Sequence, residues 1–150
     1  MAVLPESRLS IITLGVADRA AMTAFYRDVI GLKLYNEKGM TMFDMGGLVL
    51  GLWEYDKLAK DAGQPEGAAT GFKGTAIAYN AHSEAEVDAI FQRLAEAGVQ
   101  VTTAPHKSFW GGYSGYFADP EGNAWEVAFN PFWALDEDGK LVLPARKEGA

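Results

Sequence analysis

At 150 residues, 49% hydrophobic and 22% charged, the chain carries enough apolar material for one core or two small packed modules. A formal net charge of −7 argues against nucleic acid, whose phosphates demand a basic surface, and the absence of cysteine removes disulfides, thiolate metal sites and cysteine nucleophiles. No apolar run approaches the roughly 20 residues of a membrane span, and the opening MAVLPESR lacks the basic-then-apolar order of a signal peptide, so the expected location is the cytoplasm and no membrane partner is expected.

The first 56 residues read as β-α-β-β-β. Leu9 to Val16 is a β-branched run typical of a buried strand. Asp18 is a good N-cap, and Ala21, Met22, Phe25, Tyr26, Val29 and Ile30 then recur at helical spacing until Gly31. Strand-like segments follow at Leu32–Glu37, Met40–Met45 and Leu48–Tyr55, separated by Lys38-Gly39 and Gly46-Gly47. Lys57 to Gly71 is small, polar and glycine-rich, and residues 57–72 are read as a linker with at most one helical turn at its start.

The same order then returns over 73–131. Gly74 to Tyr79 reads as a strand, and Ser83 with Glu86 has the spacing of a capping box. Val87, Ile90, Phe91 and Leu94 line the helix, Gly98 closes it, and Gln100–Pro105 is the next strand. Gly31 and Gly98 stand in equivalent places, as do the caps Asp18 and Ser83, so the chain reads as two copies of one module, 7–56 and 73–131.

The last two strands hold the most informative stretch, Ser108 to Pro131. Asp119-Pro120-Glu121-Gly122 is a tight turn, with Pro120 presetting φ at its second position. Beyond it, Ala124, Glu126 and Ala128 alternate with Trp125, Val127 and Phe129, the period of two of a strand with unlike faces. Two alanines flanking one carboxylate leave space around Glu126, as on a cavity floor, with Phe109 to Tyr113 arriving beside it as a flexible wall. A glutamate in that setting is partly desolvated and is the candidate acid or base.

Val16-Ala17-Asp18, Phe25-Tyr26-Arg27-Asp28 and Ile30-Gly31-Leu32, together with Tyr116 to Asn123 followed by Trp125-Glu126, resemble the signatures of the glyoxalase/bleomycin-resistance/dioxygenase group, the vicinal oxygen chelate superfamily. The resemblance covers roughly Ser7 to Pro131. It implies an α+β fold of two βαβββ modules forming a cupped, barrel-like mixed sheet, with a site inside the cup and often a homodimer. It also implies four inward positions for metal ligands, which fall on Ile11, Gly51, Thr75 and Glu126. Only Glu126 is a strong donor among them, so no metal and no cofactor is expected. By strand parity from those positions, Thr13, Trp53 and Tyr79 join Thr75 and Glu126 on the inner face, and Trp110 and Tyr113 join from the loop as ligand-binding residues. The lining is apolar and aromatic, suited to a planar or apolar small molecule.

Neither histidine suggests a metal pair: His82 sits at the mouth of the second helix and His106 on the aromatic loop's approach. Past Pro131, in the tail 132–150, Phe132-Trp133 is too aromatic to be free in water and should dock on the body or on a second subunit. Asp138-Gly139 suggests a short hairpin, and Ala145 to Ala150 should lack order. Three functions fit: a metal-free binder of a small aromatic or amphipathic molecule, as in the bleomycin-resistance branch; a metal-free isomerase or lyase using Glu126; or a catalytically silent dimeric interaction module.

Overall fold

The computed structural model describes residues 6–67 and 70–145, so the expectation for the chain's end falls largely outside the described residues. The chain divides into two compact units meeting at Gly71 and Phe72, each built around one four-stranded mixed sheet. The stretch read as a linker with at most one helical turn opens with more helix than that: Tyr55–Asp61 forms a two-turn helix in the first unit.

The first unit runs β1 (Ile11–Val16), α1 (Arg19–Ala24), β2 (Leu34–Asn36), β3 (Thr41–Asp44), β4 (Val49–Glu54) and α2 (Tyr55–Asp61). Its strands lie in the order β1-β4-β3-β2, with β1 parallel to β4 and the other pairs antiparallel. Asp18 caps α1 as its spacing predicts, its Oδ1 accepting from Ala21 N at 2.9 Å. The helix then widens into a π-helical segment, Phe25–Ile30, before Gly31 ends it. One face of the sheet carries Val16, Phe43, Leu50 and Leu52, all buried, with Met22 and Tyr26 buried against them. Tyr26 and Phe43 meet edge to face at 6.0 Å. By register, Ile11, Thr13, Val49, Gly51 and Trp53 share the opposite face.

A polar cluster ties the end of this sheet together. Arg19 Nη1 donates to Glu37 O and to Thr41 Oγ1, both at 3.1 Å, while its Nε lies 3.4 Å from Glu54 Oε1. Lys57 Nζ reaches the same Glu54 oxygen at 3.1 Å. The Glu54 carboxyl is pulled from 4.5 down to about 2, first by its own backbone N–H and then by Lys57, with Arg19 adding a smaller share.

The second unit comprises β5 (Ala76–Asn80), α3 (Glu84–Glu96), β6 (Gln100–Lys107), β7 (Tyr113–Ala118), β8 (Ala124–Phe129) and a small hairpin, β9 (Ala134–Leu135) with β10 (Leu141–Val142). The main sheet has the order β5-β8-β7-β6, repeating the first unit's topology. Ser83 Oγ accepts from Glu86 N at 3.1 Å, and the Glu86 carboxylate reaches back to the His82 N–H at 2.6 Å, one residue earlier than an ideal capping box. β6 extends two residues beyond its expected end, to Lys107, and tolerates Pro105 because it is an edge strand with two shifts of register. Phe117 and Trp125 stack at 5.9 Å, and Trp125 and Val127 are buried, as are Val87, Phe91 and Leu94 of α3. Each fully buried side chain of this kind contributes about 1.5–3 kcal/mol.

The turn between β7 and β8 is held by Asp119, which is buried. Its Oδ1 accepts from Glu121 N at 3.0 Å and Asn123 N at 2.8 Å, and its Oδ2 accepts from Asn123 Nδ2 at 2.7 Å. Among the described residues no helix is long and apolar enough to cross a membrane.

The Glu54 cluster predicts an acid limb of stability. Its carboxyl is depressed in the folded state, so its contribution is fully present above 4.5 and is lost as pH falls from there toward about 2. Thermal melts over that range should show a shallower loss in Glu54→Gln than in wild type; identical slopes would remove Glu54 from the account.

Candidate functional site

The second sheet has two unlike faces, and register decides which residues share each. Glu126 pairs in register with Ala78 of β5 on one side and with Tyr116 of β7 on the other. Ala76, Ala78 and Asn80 therefore share its face, as do Ala124, Ala128, Ser114 and Tyr116. Trp125, Val127 and Phe117 occupy the opposite face, buried with the apolar side of α3.

A cavity of about 450 Å³ opens on the Glu126 face. Ala78 and Asn80 supply its β5 side, Glu126 and Ala128 its β8 side, and Trp110, Asn130, Phe132 and Trp133 complete the wall. Glu126 is half-buried, as the small residues around it lead one to expect. Tyr116 stands beside it in register, and its phenol is raised above the usual tyrosine range, first by burial and then by the nearby Glu126 charge. A second cavity, of about 370 Å³, lies on the far side of the same dipeptide and shares Asn130, Phe132 and Trp133, with His82 and Leu135 among its other walls.

The aromatic wall is built from short local constraints. Ser108 N donates to Gly112 O at 2.8 Å, Gly111 N donates to Ser108 O at 3.0 Å, and the Ser108 and Ser114 hydroxyls meet at 2.8 Å. The loop expected as a flexible wall is thus a tied one. The Trp110 indole folds flat onto Gly112, where an added Cβ would stand 1.7 Å from Cη2. Phe132 packs against Gly111, whose hypothetical Cβ would meet its ring at 3.1 Å. Asn130 Oδ1 accepts from Phe132 N at 2.9 Å, an Asx-type turn that sets the Phe132-Trp133 pair beside the cavity.

Seven residues were expected to bind a ligand, and the structure distributes them over four places. Trp110 and Glu126 line the cavity together. Tyr79, expected on the inner face, and Tyr113, expected to join the lining from the loop, both lie on the other face, toward α3. Tyr113 Oη donates to Asp88 of α3 at 2.7 Å, and the Tyr79 phenol is raised first by burial and then by Glu86 of the same helix. Thr75 precedes β5 and is exposed; Ala78 occupies the position beside Glu126. The error is a register slip in an Ala-Ile-Ala-Tyr stretch, in which both faces look equally plausible. Thr13 and Trp53 share one sheet face of the first unit, where Thr13 Oγ1 sits 4.0 Å from Met40 Sδ. Sequence reasoning missed Tyr116, Asn80 and Asn130. Tyr116 was findable, being in register with Glu126 across the short turn it predicted.

A family model described as the Glyoxalase/Bleomycin resistance protein/Dioxygenase superfamily matches residues 8–127. The chain belongs to this superfamily. Among solved structures, it is similar to a glyoxalase-related enzyme from Fulvimarina pelagi, at 33% identity and a TM-score of 0.82, over 93% of this chain and 100% of that one. It is similar at 29% identity and a TM-score of 0.68 to a lactoylglutathione lyase from Agrobacterium tumefaciens, over 85% of this chain and 96% of that one. A glyoxalase/bleomycin resistance protein/dioxygenase from Nocardioides, at 23% identity and a TM-score of 0.75 over 85% of each chain, shares the fold. No curated protein matches.

The positions that the resemblance assigns to metal ligands do not fit a transition metal. Ile11 and Gly51 carry no donor atom, Thr75 stands exposed ahead of β5, and Ala78, in register with Glu126, carries no donor either. Among the described residues no three His, Cys, Asp or Glu side chains cluster to hold an ion. One carboxylate falls short of the three or so strong donors that a catalytic zinc or iron site needs.

The Trp110–Gly112 contact gives a direct check on the wall. In Gly112→Ala the new methyl cannot share space with the indole, so Trp110 must swing off the loop. Its indole N–H resonance should move to a solvent-exposed position while far-UV circular dichroism stays unchanged. An unmoved Trp110 resonance would show that Gly112 does not set the ring.

Proposed function

We propose that this superfamily member binds a small planar molecule, without a metal, in the cavity above Glu126. The observation that carries this reading is the lining itself: Trp110, Phe132 and Trp133 share one cavity with a carboxylate and the alanines at 78 and 128. The alanines leave room above the sheet, and the large rings offer flat apolar surfaces at low cost in side-chain entropy. The volume of about 450 Å³ lies in the range of small-molecule sites, about 300–1,000 Å³. Glu126, with the Tyr116 phenol in register beside it, supplies the polar handle. The donor set supports a metal-independent site, since binding here rests on stacking and one carboxylate.

Quinoline is a suitable planar probe. Titrated into isotope-labelled protein, it should move the resonances of Ala78, Ala128 and the Trp110 indole together and saturably, unchanged by EDTA. Trp110→Ala should weaken it about tenfold, the loss of one stacking face. Scattered or non-saturating shifts, or binding abolished by EDTA, would overturn the reading.

A further inference from the structure

The cavity's charge says more about its ligand than its shape does. Of the described residues that line it, Glu126 alone is charged, and none is a lysine, arginine or histidine that could offset it. Among the described residues no basic group lies within ion-pair distance of it either. Tyr116 stands in register beside it on β7, and one phenol can donate a single proton to a carboxylate with about four acceptor positions. Filling the cavity with a neutral apolar ring would strip water from the remaining positions and return nothing to them.

A cation removes that cost and gains twice. It neutralises the carboxylate, and it is attracted to the negative ring faces of Trp110, Phe132 and Trp133, indole being the strongest of the aromatic partners. The chain's net charge of −7 also favours approach of positive rather than negative molecules. Resting on the reading above of a small-molecule site, we propose that its ligand is a small organic cation, a ring of one or two fused aromatic cycles whose positive charge sits beside Glu126. The volume of about 450 Å³ suits a ligand of that size.

Calorimetric titration of the full chain with N-methylquinolinium and with quinoline, at neutral pH, separates charge from shape, since the first is a fixed cation without an N–H donor and the second is its neutral counterpart. The wild type should bind the cation about tenfold more tightly. Raising the salt from low to high should weaken the cation severalfold and leave quinoline unaffected. In Glu126→Gln, shown folded by its thermal melt, the preference should collapse toward unity. The salt comparison uses wild type alone and decides the matter even where the variant fails to fold. Equal affinities in wild type, salt-insensitive cation binding, or a preference that survives in Glu126→Gln would overturn the cation and leave the cavity as a neutral site. Binding of neither probe would overturn the cation and the small-molecule reading together.

Discussion

The second unit depends on how closely α3 can approach its sheet. Gly115 of β7 makes that approach possible: an added Cβ there would stand 2.7 Å from the Phe91 ring and 2.8 Å from Thr103 O. With no side chain at 115, Phe91 can sink to the strand while β6 crowds in from the edge. Phe117, Trp125 and Val127 then pack on that same face, removing large apolar surfaces from water. Because side chains alternate along a strand, the choice is collective. Once Trp125 and Val127 face the helix, Glu126 must face away, and Ala78 and Tyr116 go with it by register. The site is the reverse side of the core.

That dependence explains what could be read from the sequence and what could not. Helices α1 and α3 were legible because their punctuation is local: Asp18 and Ser83 cap, Gly31 and Gly98 close, and the buried faces repeat at helical spacing, whereas α2 has no side-chain cap to announce it. The β7–β8 hairpin was legible for the same reason, since Asp119 and Asn123 satisfy each other within five residues. Parity along β8 was legible too, because Trp125 and Val127 differ so plainly from Glu126 and its alanines. β5 offered no such contrast. Ala76-Ile77-Ala78-Tyr79 places an aliphatic and an aromatic residue on one face and alanines on the other, and the tyrosine looked like lining when it belongs with the helix. Tyr113 misled in the same way, its phenol spent on Asp88. Phe132 and Trp133 were expected to dock, yet both are exposed; what sets them beside the cavity is the Asn130 turn and the bare backbone of Gly111, contacts that no periodicity reveals.

The chain belongs to the superfamily, yet Glu126 is the one strong donor among the positions that the resemblance assigns to a metal. A metal site and an apolar site make opposite demands on the same sheet. The first needs several strong donors converging within bonding distance, each held by partners of its own. The second needs bulk removed from the floor and added to the rim. Alanine at 78 and 128 removes it, and Trp110, Phe132 and Trp133 add it. These two changes reinforce each other, because a floor of methyl groups leaves depth that only large rings can wall.

Within that apolar setting, register places one phenol beside the cavity's carboxylate. Tyr116 lies on the neighbouring strand, fixed opposite Glu126 by the β7–β8 ladder, and the carboxylate's charge is among the causes that raise its phenol. On the other side the residue in register is Ala78, whose methyl group brings no polar atom. The two flanks of Glu126 are therefore unlike, polar on β7 and apolar on β5. The hairpin turn at Asp119, several residues distant, belongs to the same arrangement, because it fixes the register that puts Tyr116 opposite Glu126 rather than one residue away.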